Sequence, residues 1–349
     1  MKKAYNIRIN DLEKILKLLK EYDHDLIVDI DILRLDSYIK RLKNSFSEPE
    51  EISLVEKLES DYEYYPFYKP LYIYSKTFSN LGANSDTFKN DKKLSNIIVP
   101  DIEIMEYADI FFKEQGDFFY SAFSEFKCEA KDHLKFIKPN RMSDGETLML
   151  KSTGEAFVFS PNYSNISKFT ILIHELEHVI DFFNNPDFFD CYSIRETAAI
   201  FMELIACDFI SKKYNLENDS FTRKMWIHYI VKFQAELLSD KMKMLGSLIS
   251  SDPIFDDNIF EFLDKKGFEK SYVDYLLEST ISEDFSYQLP YLIAVELYFI
   301  YKRNKSSALN ILIDIIMNAD NNNIHYFLNK YNIKPNSNIE RYENILLKK

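Results

Sequence analysis

The chain has 349 residues, of which 46% are hydrophobic, enough to bury a substantial core and, on length alone, to form two domains of ordinary size. Its net charge of -13, with no basic cluster longer than a few residues, argues against a nucleic-acid partner or an anionic membrane surface, since both would repel it. Only six glycines and few segments alternating with period two predict a mainly α fold.

The first residues carry two lysines with no apolar run of signal-peptide length behind them. The longest apolar run, residues 289–301, is too short to span a bilayer and contains Glu296, so a soluble, cytoplasmic chain is expected. Helical periodicity covers residues 11–22 and 32–42, and Ser47 with Glu50 three positions on reads as a capping box for a further helix. The polar, turn-rich stretch 80–101 is the natural boundary. It divides the chain into an N-terminal helical section, 1–80, and a larger domain, 81–349.

Strand character is clearest just before residue 160, where "TLMLK" and "EAFVF" flank Ser152, Thr153 and Gly154 as a hairpin. The segment 155–159 has two readings, an exposed edge to which an extended peptide backbone could pair and part of a hairpin that only covers the core.

Residues 169–183 read "FTILIHELEHVIDFF". At about 100° per residue, Phe169, Leu172, Ile173, Leu176, Val179, Ile180 and Phe183 form one broad apolar face, and His174, His178 and Asp181 fall on the other. A histidine that merely fills a core would lie in the apolar stripe. Two histidines at i and i+4 on one helix face can instead hold one Zn²⁺, but a catalytic zinc takes three protein ligands and a water. The following segment, "SIRETAAIFMELIACDF", places Glu196 and Glu203 seven apart on one face of a mostly apolar helix, a costly arrangement unless the acids are paired or bound to a cation. Glu196 is the expected third ligand, with Glu203 hydrogen-bonding a ligating histidine from behind and standing as the alternative ligand. Asp181 is a second candidate for such a supporting role.

Glu175 is left free to take a proton from an attacking water that the metal polarises, and to pass it to a leaving amine. The remaining requirement is a donor for the oxyanion. Near the C-terminus, Tyr287, Tyr291, Tyr298 and Tyr301 share one helical face with Ala294. One of them could meet that need, although an aromatic stripe in a chain with 24 tyrosines also serves packing. Cys128, Cys191 and Cys207 are odd in number and widely spaced, which points to packed thiols and not to disulfides or a thiolate zinc cluster.

From Glu155 through "HELEH" to "ETAAIFME", and again in the tyrosine-rich segment, the sequence resembles the catalytic core of the oligoendopeptidase F and thimet oligopeptidase family of zinc peptidases. The resemblance implies a helical, gluzincin-like core with a small hairpin or sheet beside the zinc-binding helix, acting on short or unfolded peptides. It implies one zinc per chain held by His174, His178 and Glu196, with Glu175 as general base and Tyr287 or Tyr291 stabilising the oxyanion. Pro290 makes the backbone at Tyr287 the less certain of the two. The chain departs from the family pattern at Glu177, where glycine is usual, and at Ala199, where a small polar residue is usual, and it is much shorter than family members. Two rival readings are a regulatory peptidase that cleaves one dedicated protein partner and a non-catalytic peptide-binding protein on a peptidase fold.

Overall fold

The computed structural model describes residues 9–21, 26–43, 98–137, 145–163, 166–188, 194–215, 281–319 and 324–333. Within them the protein is mostly helical, as the scarcity of glycine predicts, with one small sheet. The N-terminal helices α1 (Ile9–Leu19) and α2 (Leu26–Lys43) match the two periodic stretches, the second beginning several residues earlier than its apolar pattern suggests. The capping box at Ser47 and the boundary between residues 80 and 81 lie outside the described residues, as does Cys191.

Helices α3 (Asp101–Gln115) and α4 (Asp117–His133) are joined by Gly116 alone. Its φ of 106° is a conformation that an L side chain rarely adopts, so one glycine ends the first helix and starts the second. Phe111, Phe112, Phe119, Phe123 and Phe126 are fully buried along this pair.

The chain leaves α4 directly into β1 (Leu134–Ile137), followed by β2 (Glu146–Leu150) and β3 (Glu155–Pro161). The hairpin forms as expected: β2 and β3 are antiparallel with Leu150 opposite Glu155, and Gly154 takes a positive φ of 71° in the turn. Of the two readings of 155–159, the exposed edge does not form. The sheet order is β1-β3-β2, with β1 parallel to β3, so β3 is the central strand and is buried along six of its seven residues. Four residues of β1 are too few to show a period, which is why the sequence does not announce the strand that covers this edge. Among the described residues, β2 and β1 are the outer strands.

Alternation along the hairpin splits the core in two. Ala156, Val158 and Met149 face the main helical core, while Phe157, Phe159, Leu148 and Leu150 face α1 and α2. Tyr38 of α2 packs its ring 4.7 Å from that of Phe159. Asp31 of α2, 1% exposed, accepts hydrogen bonds from both the backbone N–H (2.7 Å) and the hydroxyl (2.6 Å) of Ser152 in the hairpin turn.

Helix α5 (Ser167–Asn184) crosses the inner face of the sheet and packs against α6 (Glu196–Lys213). Phe169 of α5 stacks on Phe209 of α6, and Phe111 of α3 meets both rings edge-on, with centroid distances of 5.6 to 6.2 Å. Helix α7 (Ile281–Arg303) lies along α6, where Tyr298 donates to Asp208 at 2.9 Å and Lys302 pairs with the same carboxylate at 2.9 Å. Helices α8 (Lys305–Asn318) and α9 (Ile324–Lys330) complete the described fold. None of the described helices is long and apolar enough to cross a membrane. Cys207 is a packed thiol, as expected, whose pKa burial pushes up; Cys128 is exposed instead, on the outward side of α4, where its thiol donates to the Ser124 carbonyl.

Two substitutions test these joints. Asp31→Ala leaves the Ser152 donors without their acceptor and should cost about 1–3 kcal/mol, seen as a lower urea midpoint. Tyr298→Phe removes one donor from an Asp208 that Lys302 still holds, so the expected loss is smaller, about 0.5–1.5 kcal/mol in the same measurement.

Candidate metal centre

The helix α5 does not have the one apolar face and one polar face that its sequence suggests. Its apolar stripe packs into the core, and its opposite side is covered by α6, leaving only four partly exposed positions, among them His174 and Phe183. His174 and His178 therefore project into a seam between two helices and not into solvent. Their rings are 5.0 Å apart at an angle of 86°.

Glu196 begins α6 and meets both histidines. Its Oε2 is 3.3 Å from His174 Nε2 and 3.3 Å from His178 Nε2. That spacing is close to the edge of a tetrahedron whose metal bonds are about 2.0–2.1 Å long, roughly 3.3–3.4 Å. Glu196 is 3% exposed and Oε2 has no aligned hydrogen-bond donor, so the three ligand atoms converge without satisfying one another. All three lie within 4.8 Å of one another, and no other group of three such residues assembles among the described residues. The donor set, two imidazole nitrogens and a carboxylate oxygen, suits zinc.

Seven residues on, Glu203 reaches the other side of His174, with Oε2 3.3 Å from Nδ1. The two glutamates thus hold opposite nitrogens of one ring, and Glu203 does not reach the point where the two Nε2 atoms converge. The charges follow this geometry. Burial works against a proton on His174, but Glu196 and Glu203 outweigh it and hold its pKa well above the ordinary value. Burial likewise opposes charge on Glu196, and the two imidazoles overcome it and hold that carboxylate well below its usual range. The pocket is thus built for positive charge, and a metal that binds there must displace the proton on His174.

Glu175 projects away from α6, toward the sheet. Thr147 of β2 approaches it twice, with Oγ1 2.7 Å from the carboxylate Oε2 and 3.0 Å from the backbone oxygen. Burial raises its pKa, against the opposing effect of His174, His178 and Thr147. Neither Thr147 nor the adjoining Gly145 stands out in the sequence; the one available signal is a hydroxyl on the inward face of a strand otherwise apolar there.

Asp181 is buried beside the centre, but neither carboxyl oxygen accepts a hydrogen bond, so the structure does not join it to a ligand histidine. Glu177, one turn earlier, is completely buried and equally without a hydrogen-bond partner. Burial pushes the pKa of both acids well above the ordinary carboxylate value, and Asp181 is raised further by Glu177 and Glu196. Tyr287 and Tyr291 belong to α7 by their backbone, and their side chains lie outside the described residues. The other two members of the stripe are committed elsewhere, Tyr298 to Asp208 and Tyr301 to Gln115 at 3.1 Å.

No protein-family model matches the sequence, and no curated protein matches it. Solved structures do match the fold. A protein from Bacillus anthracis str. Ames given as an oligoendopeptidase F aligns at TM-score 0.52 and 12% identity, over 90% of this chain and 57% of its own. PZ peptidase A with inhibitor 2 aligns at TM-score 0.57 and 10% identity, over 97% of this chain and 67% of its own. A further protein given as oligoendopeptidase F aligns at TM-score 0.54 and 10% identity, over 96% and 66%. The chain spans from 57 to 67% of the length of these structures, and it shares with them a mostly helical fold.

Proposed function

We propose that this chain is a zinc-dependent metallopeptidase that hydrolyses peptide bonds in short or unfolded peptides. The observation that carries the reading is the convergence of His174 Nε2, His178 Nε2 and Glu196 Oε2 in a buried seam, with the Glu175 carboxylate on the adjoining side of the same helix. The likeness in fold to peptidase structures supports the same class of chemistry.

In this reading His174, His178 and Glu196 hold the metal. Glu203 accepts from His174 Nδ1–H, which fixes the tautomer and leaves Nε2 with its lone pair toward the site. Zinc, when bound, supplies a polarised water at neutral pH and shares the negative charge that develops on the carbonyl oxygen. Glu175 takes the proton from water as it attacks and hands it to the leaving amine, a transfer that burial assists by bringing the carboxylate closer in proton affinity to its task. Tyr287 or Tyr291 donates a hydrogen bond to the oxyanion. The acidic chain acts on peptides and not on nucleic acid.

Metal analysis of the purified protein should find one zinc per chain, and a mixed peptide library should be cleaved in a chelator-sensitive manner. Glu175→Gln should retain the zinc and lose about 10²–10⁴-fold in turnover. Glu203→Gln should instead weaken zinc affinity by about 10–100-fold. A library left intact by a zinc-loaded protein would point to a binding protein, or to one dedicated substrate.

Between the tyrosines, kinetics decide. Phenylalanine at the residue that serves the oxyanion should lower turnover by about 10²-fold with little change in KM. Phenylalanine at the other should leave turnover near normal. Normal turnover in both Tyr287→Phe and Tyr291→Phe would remove tyrosine from the mechanism.

A further inference from the structure

Glu175 and the two histidines occupy one helix, yet they are held from different sides. His174 and His178 face α6, whereas Glu175 faces β2. A glutamate side chain has three rotatable bonds, and nothing in α5 itself selects the rotamer that brings a carboxylate to a reacting water.

Two features of β2 and the residue before it supply that selection. Thr147 lies on the strand face that meets α5, two residues from the inward Met149, and its hydroxyl is within 2.7 Å of Glu175 Oε2 and 3.0 Å of the Glu175 backbone oxygen. A hydroxyl carries one hydrogen, so Thr147 ties the far end of the side chain to the strand while staying against its root. Gly145 limits the other oxygen. A Cβ built at Gly145 would overlap Glu175 Oε1 and would lie 2.8 Å from Cγ and 2.9 Å from Cδ, distances at which something must shift. The φ of 133° at Gly145 independently favours glycine. The carboxylate therefore occupies space that any other residue at 145 would claim.

We propose that the 145–147 segment orients the general base, with Thr147 as a positioning residue that anchors Oε2 and Gly145 providing the space for Oε1. The proposal rests on the peptidase reading of Glu175. The hydrogen-bond contacts of Thr147 go to Glu175 and to none of the three metal-binding candidates; it acts through Glu175, and it leaves Oε1 as the oxygen that accepts the proton.

The test uses the full chain, loaded with zinc, and a fluorogenic peptide chosen from library members that the wild type cleaves. Thr147→Val keeps the branched shape suited to a strand and removes the donor. Its kcat should fall by about 10-fold or more, with KM within about twofold and zinc content unchanged, and Thr147→Ser should restore most of the loss. A purely structural role would move melting temperature, without rescue specific to the hydroxyl. Melting temperature supplies a readout that needs no catalysis. Gly145→Ala should lower it markedly in the wild type and clearly less in a Glu175→Ala background, because backbone strain is common to both and only the contact with Glu175 differs. Normal kcat in Thr147→Val, alongside an inactive Glu175→Gln, overturns the positioning role and leaves the peptidase reading intact. Equal costs of Gly145→Ala in both backgrounds overturn the part assigned to Gly145. A wild type with no chelator-sensitive cleavage sinks the reading of a peptidase for short or unfolded peptides, and this proposal with it.

Discussion

The seam between α5 and α6 depends on charge compensation in a place where water cannot provide it. Glu196 and Glu203 are 3% and 5% exposed, on a helix whose intervening residues Ala199, Ile200 and Met202 are also buried. An ionised carboxylate in such surroundings persists only with a close positive partner. Here the partners are imidazoles, groups whose charge can be given up to a competing cation. The packing of the helices and their capacity to bind metal are therefore one arrangement: the distance that lets His174 and His178 neutralise Glu196 is close to the distance a tetrahedral ion demands.

Around that seam the elements divide their tasks. The α6 helix carries the carboxylates, α5 carries the imidazoles and the base, and the sheet backs α5 from the far side. Helix α7 braces α6 from behind through Asp208, which receives both Tyr298 and Lys302. The C-terminal end of α5 is held by Asn185, whose side-chain amide donates to the Ile316 carbonyl of α8 at 2.7 Å. A helix fixed along its length in this way keeps its histidines at a constant separation, which metal affinity requires.

Much of this was legible in the sequence where local periodicity reports on burial. The i, i+4 histidines, the glutamates seven apart and the hairpin around Gly154 each depend on spacing within one element, and each is found where spacing puts it. What spacing cannot report is what covers an element. Residues 155–159 can be read as an edge because β1, four residues long, carries no period of its own. Periodicity separates the histidine face of α5 from its apolar stripe but does not show that α6, from elsewhere in the chain, packs over it. Glu177 and Asp181 sit on that same helix and are both buried, with pKa values that burial raises, which spacing alone does not report. Thr147 is invisible as a functional candidate because its contact with Glu175 spans 28 positions of sequence.

The two-sided burial of the hairpin has a consequence for how this protein can be shortened. Leu148, Leu150, Phe157 and Phe159 are between 0% and 6% exposed, and what shields them is α1 and α2. Returning four such side chains to water costs about 1.5–3 kcal/mol each, a sum comparable to the whole stability of an ordinary domain. A truncation that starts after α2 would thus strip one face from the only sheet among the described residues and offer aggregating chains a sticky apolar surface. The minimal folding unit of the metal centre includes helices that come nowhere near the metal ligands, and any fragment meant to retain the histidine seam has to begin ahead of residue 9.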